Sequence, residues 1–397
     1  MTQTLFADAL KVRAWSPQDP GLHGCVCCSP ALQTLGLLSL PHLASAGKAD
    51  GWKRLGAPLP APAGTVILAN ARILTVDEAF STAQALAFRD GRILAVGSLD
   101  AVREAAGEGA ELLDAQGRTV LPGFIEPHMH FFAIAMFGTI PDVGAVVCED
   151  ADAVIARLGD MAAAAPADAW IVARQFDPSL QAGADRVTRH TLDQVAPRNP
   201  VFLFNASLHL AYCNSRALEI AGVTAATQDP PGASYVRDAS GEPNGVLQGQ
   251  AAMFSVLGHN LAAMATGDIP EACRRVCEKA NRVGVTTVCD QAAGGFQGRG
   301  ELAAFHAFAA SGHMTARLRY SLIQAGERGW DAMGVTPGDG DEMARAVGWK
   351  IVSDGSNQGR TGLQRDPYLG GGQGMAYVEP DVLRDITVKR SLEGWQM

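Results

Sequence analysis

The sequence predicts an α/β protein in which a small β-rich unit is followed by parallel strand and helix units. Three observations carry that expectation. Residues 65–119 hold short apolar runs separated by Asp90-Gly91 and Gln116-Gly117, dipeptides that suit tight turns. From Pro270 onward, helical patterns alternate with β-branched runs, the signature of parallel β/α units. Between these regions an apolar run, residues 121–125, leads through Glu126 and Pro127 to His128 and His130.

Length and composition bound the rest. A chain of 397 residues with 47% apolar residues and mean hydropathy near zero can build two or three domains with a sizeable core. The net charge of −9 argues against nucleic acid or an anionic membrane as partner. Cys148, Cys213, Cys273, Cys277 and Cys289 are scattered among apolar neighbours and read as buried free thiols. That usage points to a reducing, cytoplasmic setting. Cys273 and Cys277 share a helical face, where packing explains them better than a metal.

Residues 1–64 read as a leader and linker. Cys25 and Cys28 have C-x-x-C spacing, with Cys27 between them. With no second pair to complete a site, a loop of incidental thiols is the preferred reading over a metal or redox role. The apolar stretch 35–43 ends in Ala44-Ser45-Ala46, like a secretory signal, but lies far from the basic Lys11 and Arg13. Pro41 and His42 interrupt it, and it is too short to span a bilayer.

Residues 66–76 are expected as one long strand or two short ones. Residues 85–97 are expected as a hairpin around Asp90-Gly91, and residues 112–120 as a repeat of that pattern around Gln116-Gly117. Residues 151–165 are alanine-rich and helical; residues 200–204 form an apolar strand. Residues 270–283 form an amphipathic helix with Val276, Ala280 and Val283 on one stripe. Strands follow at 284–290, 316–322 and 348–356, with a helix at 302–310.

His128 and His130 are the chain's sharpest chemical signal. Residues i and i+2 of a strand face the same way, so the two imidazoles can meet one metal ion. Nitrogen at about 2.0–2.2 Å suits several metals, so the pair alone does not choose among them.

Residues 120–130, Val-Leu-Pro-Gly-Phe-Ile-Glu-Pro-His-Met-His, resemble the first barrel strand of the amidohydrolase superfamily. The chain looks closest to the branch that holds N-substituted formamide deformylases. The resemblance implies a partial TIM-type (β/α) barrel of about four strands. It has a β-sandwich subdomain at 65–119, the metal-binding strand at 120–140, an insertion covering the active site at 141–265, and β/α units two to four at 266–397. Residues 170–177 are similar to the family's W-I-x-G-x-G-W-D, with Ala173 and Gln175 at the glycine positions and Phe176 at the second tryptophan. Residues 205–215 resemble a segment containing D-G-H-x-x-x-x-N-S, in which Ser207 and Leu208 replace Asp-Gly while His209 and Asn214 keep their places. The resemblance puts His209 and Asn214 on the substrate side.

The resemblance also gives Lys350 a role. A lysine on the fourth strand of such barrels is often carboxylated, and the carbamate bridges two metals. His128, His130 and Lys350 are then the expected ligands of one or two divalent ions, zinc first among them, with Lys350 counted as catalytic. Without the resemblance, Lys350 would pair with Asp354 or reach solvent along its stem. The implied reaction is hydrolysis of a carbon–nitrogen bond in a small amide-like substrate by metal-activated water. Two further histidines on strands five and six and an aspartate on strand eight belong to that scheme. No histidine follows Lys350, so the sequence reads as an amino-terminal portion of such an enzyme. A non-catalytic relative with an assembly role is the rival. The oligomeric state stays open, a homo-oligomer included.

Overall fold

The computed structural model describes residues 64–397 apart from 231–232, 261–267, 296–297, 356, 358–361, 370 and 375. The expectations for Cys25, Cys27, Cys28 and the apolar stretch 35–43 lie outside the described residues.

The first unit contains β1 (Thr65–Ala69), β2 (Arg72–Leu74), β3 (Thr82–Ala83), β4 (Ala85–Arg89), β5 (Arg92–Gly97), α1 (Leu99–Ala106), β6 (Glu111–Asp114) and β7 (Thr119–Val120). Its two sheets run β5-β4-β1-β6 and β3-β2-β7. The Asp90-Gly91 hairpin forms as expected, with both residues left-handed at φ 51° and 74°. Gln116 and Gly117 adopt the same local conformation, at φ 56° and 73°. They do not close a hairpin: β6 lies parallel to β1, and β7 parallel to β2. The turn hands the chain from one sheet to the other. The stretch 66–76 is two strands because Asn70, at φ 53°, breaks it. Ile67, Ala85 and Ala87 pack with Val102 and Ala106 of α1. Ile73, Ala71 and Ala115 form a second small core with Leu68, Leu86 and Val120, drawn from both sheets.

β8 (Phe124–Met129) follows, and α2 (Phe131–Phe137) starts one residue later. The insertion comprises α3 (Ala151–Ala164), β9 (Ile171–Phe176), α4 (Arg189–Val195), β10 (Val201–Asn205), β11 (Leu210–Cys213), α5 (Ser215–Ala221), β12 (Ser234–Arg237), β13 (Pro243–Gln248) and α6 (Gln250–Leu257). Its strands make one mixed sheet, β12-β13-β11-β10-β9.

The third unit alternates α7 (Ile269–Arg282), β14 (Val285–Ala293), α8 (Arg299–Ala310), β15 (Arg317–Ile323), α9 (Glu327–Met333), β16 (Ala344–Lys350) and α10 (Pro380–Leu392). With β8 it builds a four-stranded sheet, β16-β15-β14-β8, in which every pair is parallel. The order in space is the order in sequence, as successive β/α units require. β16 starts earlier than expected and ends at Lys350; beyond it Asp354 forms an isolated bridge to Ala376. At the outer edge of β16, Gln396 pairs with Gly348 in parallel sense. At the other edge Phe124 and Ile125 are 54% and 67% exposed among the described residues.

One core ties these parts together. Phe131 and Phe132 of α2 pack edge-on against Phe305 of α8, while Phe137 packs against Phe204 of the insertion sheet. Val288, Leu318 and Tyr320 belong to the same cluster. Among the described residues, no helix is long and apolar enough to cross a membrane.

Two substitutions at the family's glycine positions have a backbone consequence. Gln175 and Leu208 stand where glycines were expected, and both are left-handed, at φ 74° and 57°. A side chain there costs about 1–2 kcal/mol. Gln175 is exposed, so its replacement loses little packing. Gln175→Gly should be more stable than Gln175→Ala by about 1 kcal/mol in urea unfolding, and equal stabilities would rule out strain at this bend.

Candidate metal centre

The strand β8 delivers its last residues at the carboxyl end of the parallel sheet, where the chemistry of β/α folds is concentrated. The rings of His128 and His130 lie 5.7 Å apart, edge to face at 88°. His128 is on the strand and exposed. His130 sits between β8 and α2 at φ −125°, ψ 82°, and makes no side-chain cap to the helix. Its Nδ1 is buried and has no hydrogen-bond partner.

The surrounding main chain is held from three sides. Glu126 accepts a hydrogen bond from the His128 N–H at 3.0 Å. Gln291 of β14 donates to the Pro127 carbonyl at 3.1 Å. Asp290, buried at the middle of the sheet, accepts from Phe132 N–H at 3.2 Å and Ala292 N–H at 2.8 Å, with Phe131 N–H as a further donor. Burial pushes the Asp290 carboxyl above its ordinary range, and these main-chain donors oppose that push. Asp290 therefore fixes the first turn of α2 and, through it, the backbone of His130. In the sequence Asp290 marks the close of a β-branched run and gives no other signal of this role.

Electrostatics keep both imidazoles neutral near pH 7. Burial pulls His130 down to about 4, helped by His128 and the Lys350 ammonium. His128 is lowered by burial and by Lys350, with Glu126 opposing. Lys350 thus acts on both rings from the far strand of the sheet. It is half-buried and makes no ion pair with Asp354. That carboxylate instead accepts from the Ser353 hydroxyl at 3.2 Å and Leu363 N–H at 2.9 Å. The end of β16 is clamped through Trp349. The Arg390 guanidinium lies 3.8 Å over the Trp349 ring and pairs with Glu327, Asp331 and Glu393.

Neutral nitrogens, one of them buried without a donor, are the chemistry of a cation site. Two imidazoles do not complete it: among the described residues, no group of three His, Cys, Asp or Glu side chains is arranged to hold a metal. Lys350 is the third polar group at hand.

The two residues expected on the substrate side lie in the insertion. His209 is buried just ahead of β11. Burial lowers its pKa, its N–H donates to the Ser207 hydroxyl at 3.2 Å, and its carbonyl accepts from Gly249. Asn214 is buried, 1% exposed. Its Oδ1 accepts from Val201 and Ala217 N–H, and its Nδ2 donates to the Ala196 and Asn199 carbonyls. All its hydrogen-bonding capacity is spent capping α5 and joining it to β10.

The fold is that of an α/β protein built on parallel strand and helix units. Its chain trace is similar to an uncharacterized metal-dependent hydrolase from Pyrococcus horikoshii, with a TM-score of 0.62 and 20% identity over 84% of this chain and 64% of that one. The model of the amidohydrolase family matches residues 111–397, and the chain belongs to that family. An N-substituted formamide deformylase from Arthrobacter pascens is 38% identical over 47% of this chain and 34% of its own length. The protein LONG AFTER FAR-RED 3 of Arabidopsis thaliana is 33% identical over 60% of this chain and 40% of its own. A putative amidohydrolase from Bacillus subtilis, YtcJ, is 25% identical over 75% and 55%. The chain thus spans about a third to a half of the length of these curated relatives.

The lowered His130 pKa makes a stability prediction for metal-free protein. The unfolded chain takes up a proton at the ordinary histidine value, and the folded one only near pH 4. The associated stability is present above about pH 6.5 and is lost as pH falls toward 4, on the order of 3 kcal/mol. Urea midpoints in chelator across that window should fall for the parent, and fall less for His130→Asn. Parallel slopes would show that His130 does not titrate as placed.

Proposed function

We propose that the protein hydrolyses a non-peptide carbon–nitrogen bond of a small amide-like molecule, with His128, His130 and Lys350 as its contribution to a divalent metal site. The buried Nδ1 of His130 beside His128 carries this reading, because a buried ring nitrogen needs a partner and among the described residues it has none. Zinc suits two neutral imidazoles; one ion or two can be served. When bound, such an ion supplies a water of pKa near 7 and polarises the substrate carbonyl.

The chain's own groups have separate tasks. His128 and His130 offer neutral nitrogen at working pH. Lys350 as an ammonium opposes a cation, and as a carbamate it would add an anionic oxygen ligand, which is why carboxylation is part of the proposal. Asp290 and Gln291 position the histidine turn. His209 is a candidate contact to substrate from the insertion. The relatedness to a formamide deformylase makes N-substituted formamides the first substrates to try, before cyclic amides and N-acyl compounds. A barrel completed beyond the four parallel strands, and a cytoplasmic location suggested by the five free cysteines among the described residues, belong to the same reading.

One observation favours a second reading, a non-catalytic relative: the lack of a third His, Cys, Asp or Glu beside the pair among the described residues. Metal analysis after zinc loading separates the two. The hydrolase reading expects one or two zinc ions per chain, lost at least tenfold in His128→Asn and His130→Asn. It expects a lysine carbamate signal in ¹³C-bicarbonate NMR that is absent in Lys350→Ala, and release of formate from N-substituted formamides by the loaded protein. Protein that retains no zinc and releases no formate would give the site to the non-catalytic reading.

A further inference from the structure

We propose that the amino-terminal ends of β15 and β16 form a binding site for a small oxyanion of two or more negative charges, held by Arg317, Arg319 and Arg345. The parallel register sets Arg319 directly beside Arg345, and Arg317 lies two residues before Arg319, so all three point to one face of the sheet. With Arg92 from the β4–β5 hairpin, Gly91 and Glu342, they line a cavity of about 260 Å³.

The charges in that cavity do not balance. Glu342 is paired with Arg92. The neighbouring Asp341 carboxylate accepts the Met343 and Ala344 N–H groups at 2.7 and 2.8 Å. Among the described residues, Arg319 donates to the carbonyls of Leu318 and Glu342, at 3.1 and 3.2 Å. Among the described residues, no carboxylate forms an ion pair with Arg317, Arg319 or Arg345. The Nε of Arg345 is buried without a partner. Like charges set side by side on neighbouring strands destabilise a sheet unless something neutralises them.

The direction of one shift agrees with the geometry. Burial, Arg345 and Arg317 together pull Arg319 below its ordinary value, against Asp341. A guanidinium fork matches phosphate and carboxylate oxygens bidentately, and three of them around one cavity favour a multiply charged anion over a monoanion. The site is separate from the histidines. From Arg345 to Lys350 the strand runs five residues, about 16 Å, and the two groups sit at opposite ends of the sheet.

Inorganic phosphate is the probe, titrated into the full chain by calorimetry at constant ionic strength, with acetate as monoanion control. The expected result is saturable one-to-one binding of phosphate and none of acetate. Arg319→Gln and Arg345→Gln should each weaken it at least tenfold. Arg384→Gln, an exposed arginine of α10, and His128→Asn at the other end of the sheet should leave it unchanged. If Arg345→Gln does not fold, the exposed Arg317→Gln carries the test, with a threefold or greater loss expected. Absence of saturable phosphate binding, survival of binding in the cavity variants, or equal affinity for acetate would each overturn the proposal.

Discussion

The buried carboxylate of Asp290 is the interaction on which the geometry of the site depends. It stands at the middle of the parallel sheet, 1% exposed, where an unpaired anion would be costly. What makes it tolerable is the start of α2, whose first N–H groups have no partner within the helix. Phe131 and Phe132 bring those N–H groups into the core because their rings pack on Phe305 and Phe308. Asp290 accepts from them, and the positive end of the short helix adds to the match. Neither partner could be buried alone. The junction between β8 and α2 is therefore fixed, and His130 is the residue at that junction.

The other end of the site is fixed by different physics. Lys350 closes β16, next to Trp349, which is buried against Trp395 and roofed by Arg390. Arg390 is itself buried, and three carboxylates from α9 and the end of α10 neutralise it. A cation over an aromatic face with a full set of acidic partners resists displacement more than an exposed pair does. The strand end that carries Lys350 is held from the helix side, so its amine is presented from a rigid element. The two arrangements leave His130 just past the end of β8 and Lys350 at the end of β16, yet within each other's field.

Much of this was legible in the sequence, and what was not has identifiable causes. The strand that closes on His128 and His130, the three β/α units after Pro270 and the Asp90-Gly91 hairpin follow from local pattern, because side-chain period and turn chemistry decide them. The Gln116-Gly117 turn shows the limit of such reasoning. Its backbone is that of a hairpin turn, but pairing is non-local, and β6 and β7 find β1 and β2 instead of each other. Asn214 was read by position within a motif, while its role depends on β10 lying beside α5, which no local pattern states. Asp290 was missed because a carboxylate that caps a helix 158 residues earlier leaves no mark on its own neighbourhood. The glycine departures at Gln175 and Leu208 were visible as letters; only the backbone shows that they occupy left-handed positions.

The charge of Lys350 links the halves of the candidate site. As an ammonium it is one of the causes that lower both His128 and His130, after burial for His128 and after burial and His128 for His130. That places a cation beside two groups suited to bind another cation, an arrangement that favours neither. Carboxylation would replace one positive charge by one negative charge on the same stem, reversing its effect on both imidazoles. Burial, the largest cause for each ring, would remain and would still hold His130 neutral. The neutrality of His130 thus rests on burial and survives either state of Lys350, whereas the sign of that group sets the field at both imidazoles.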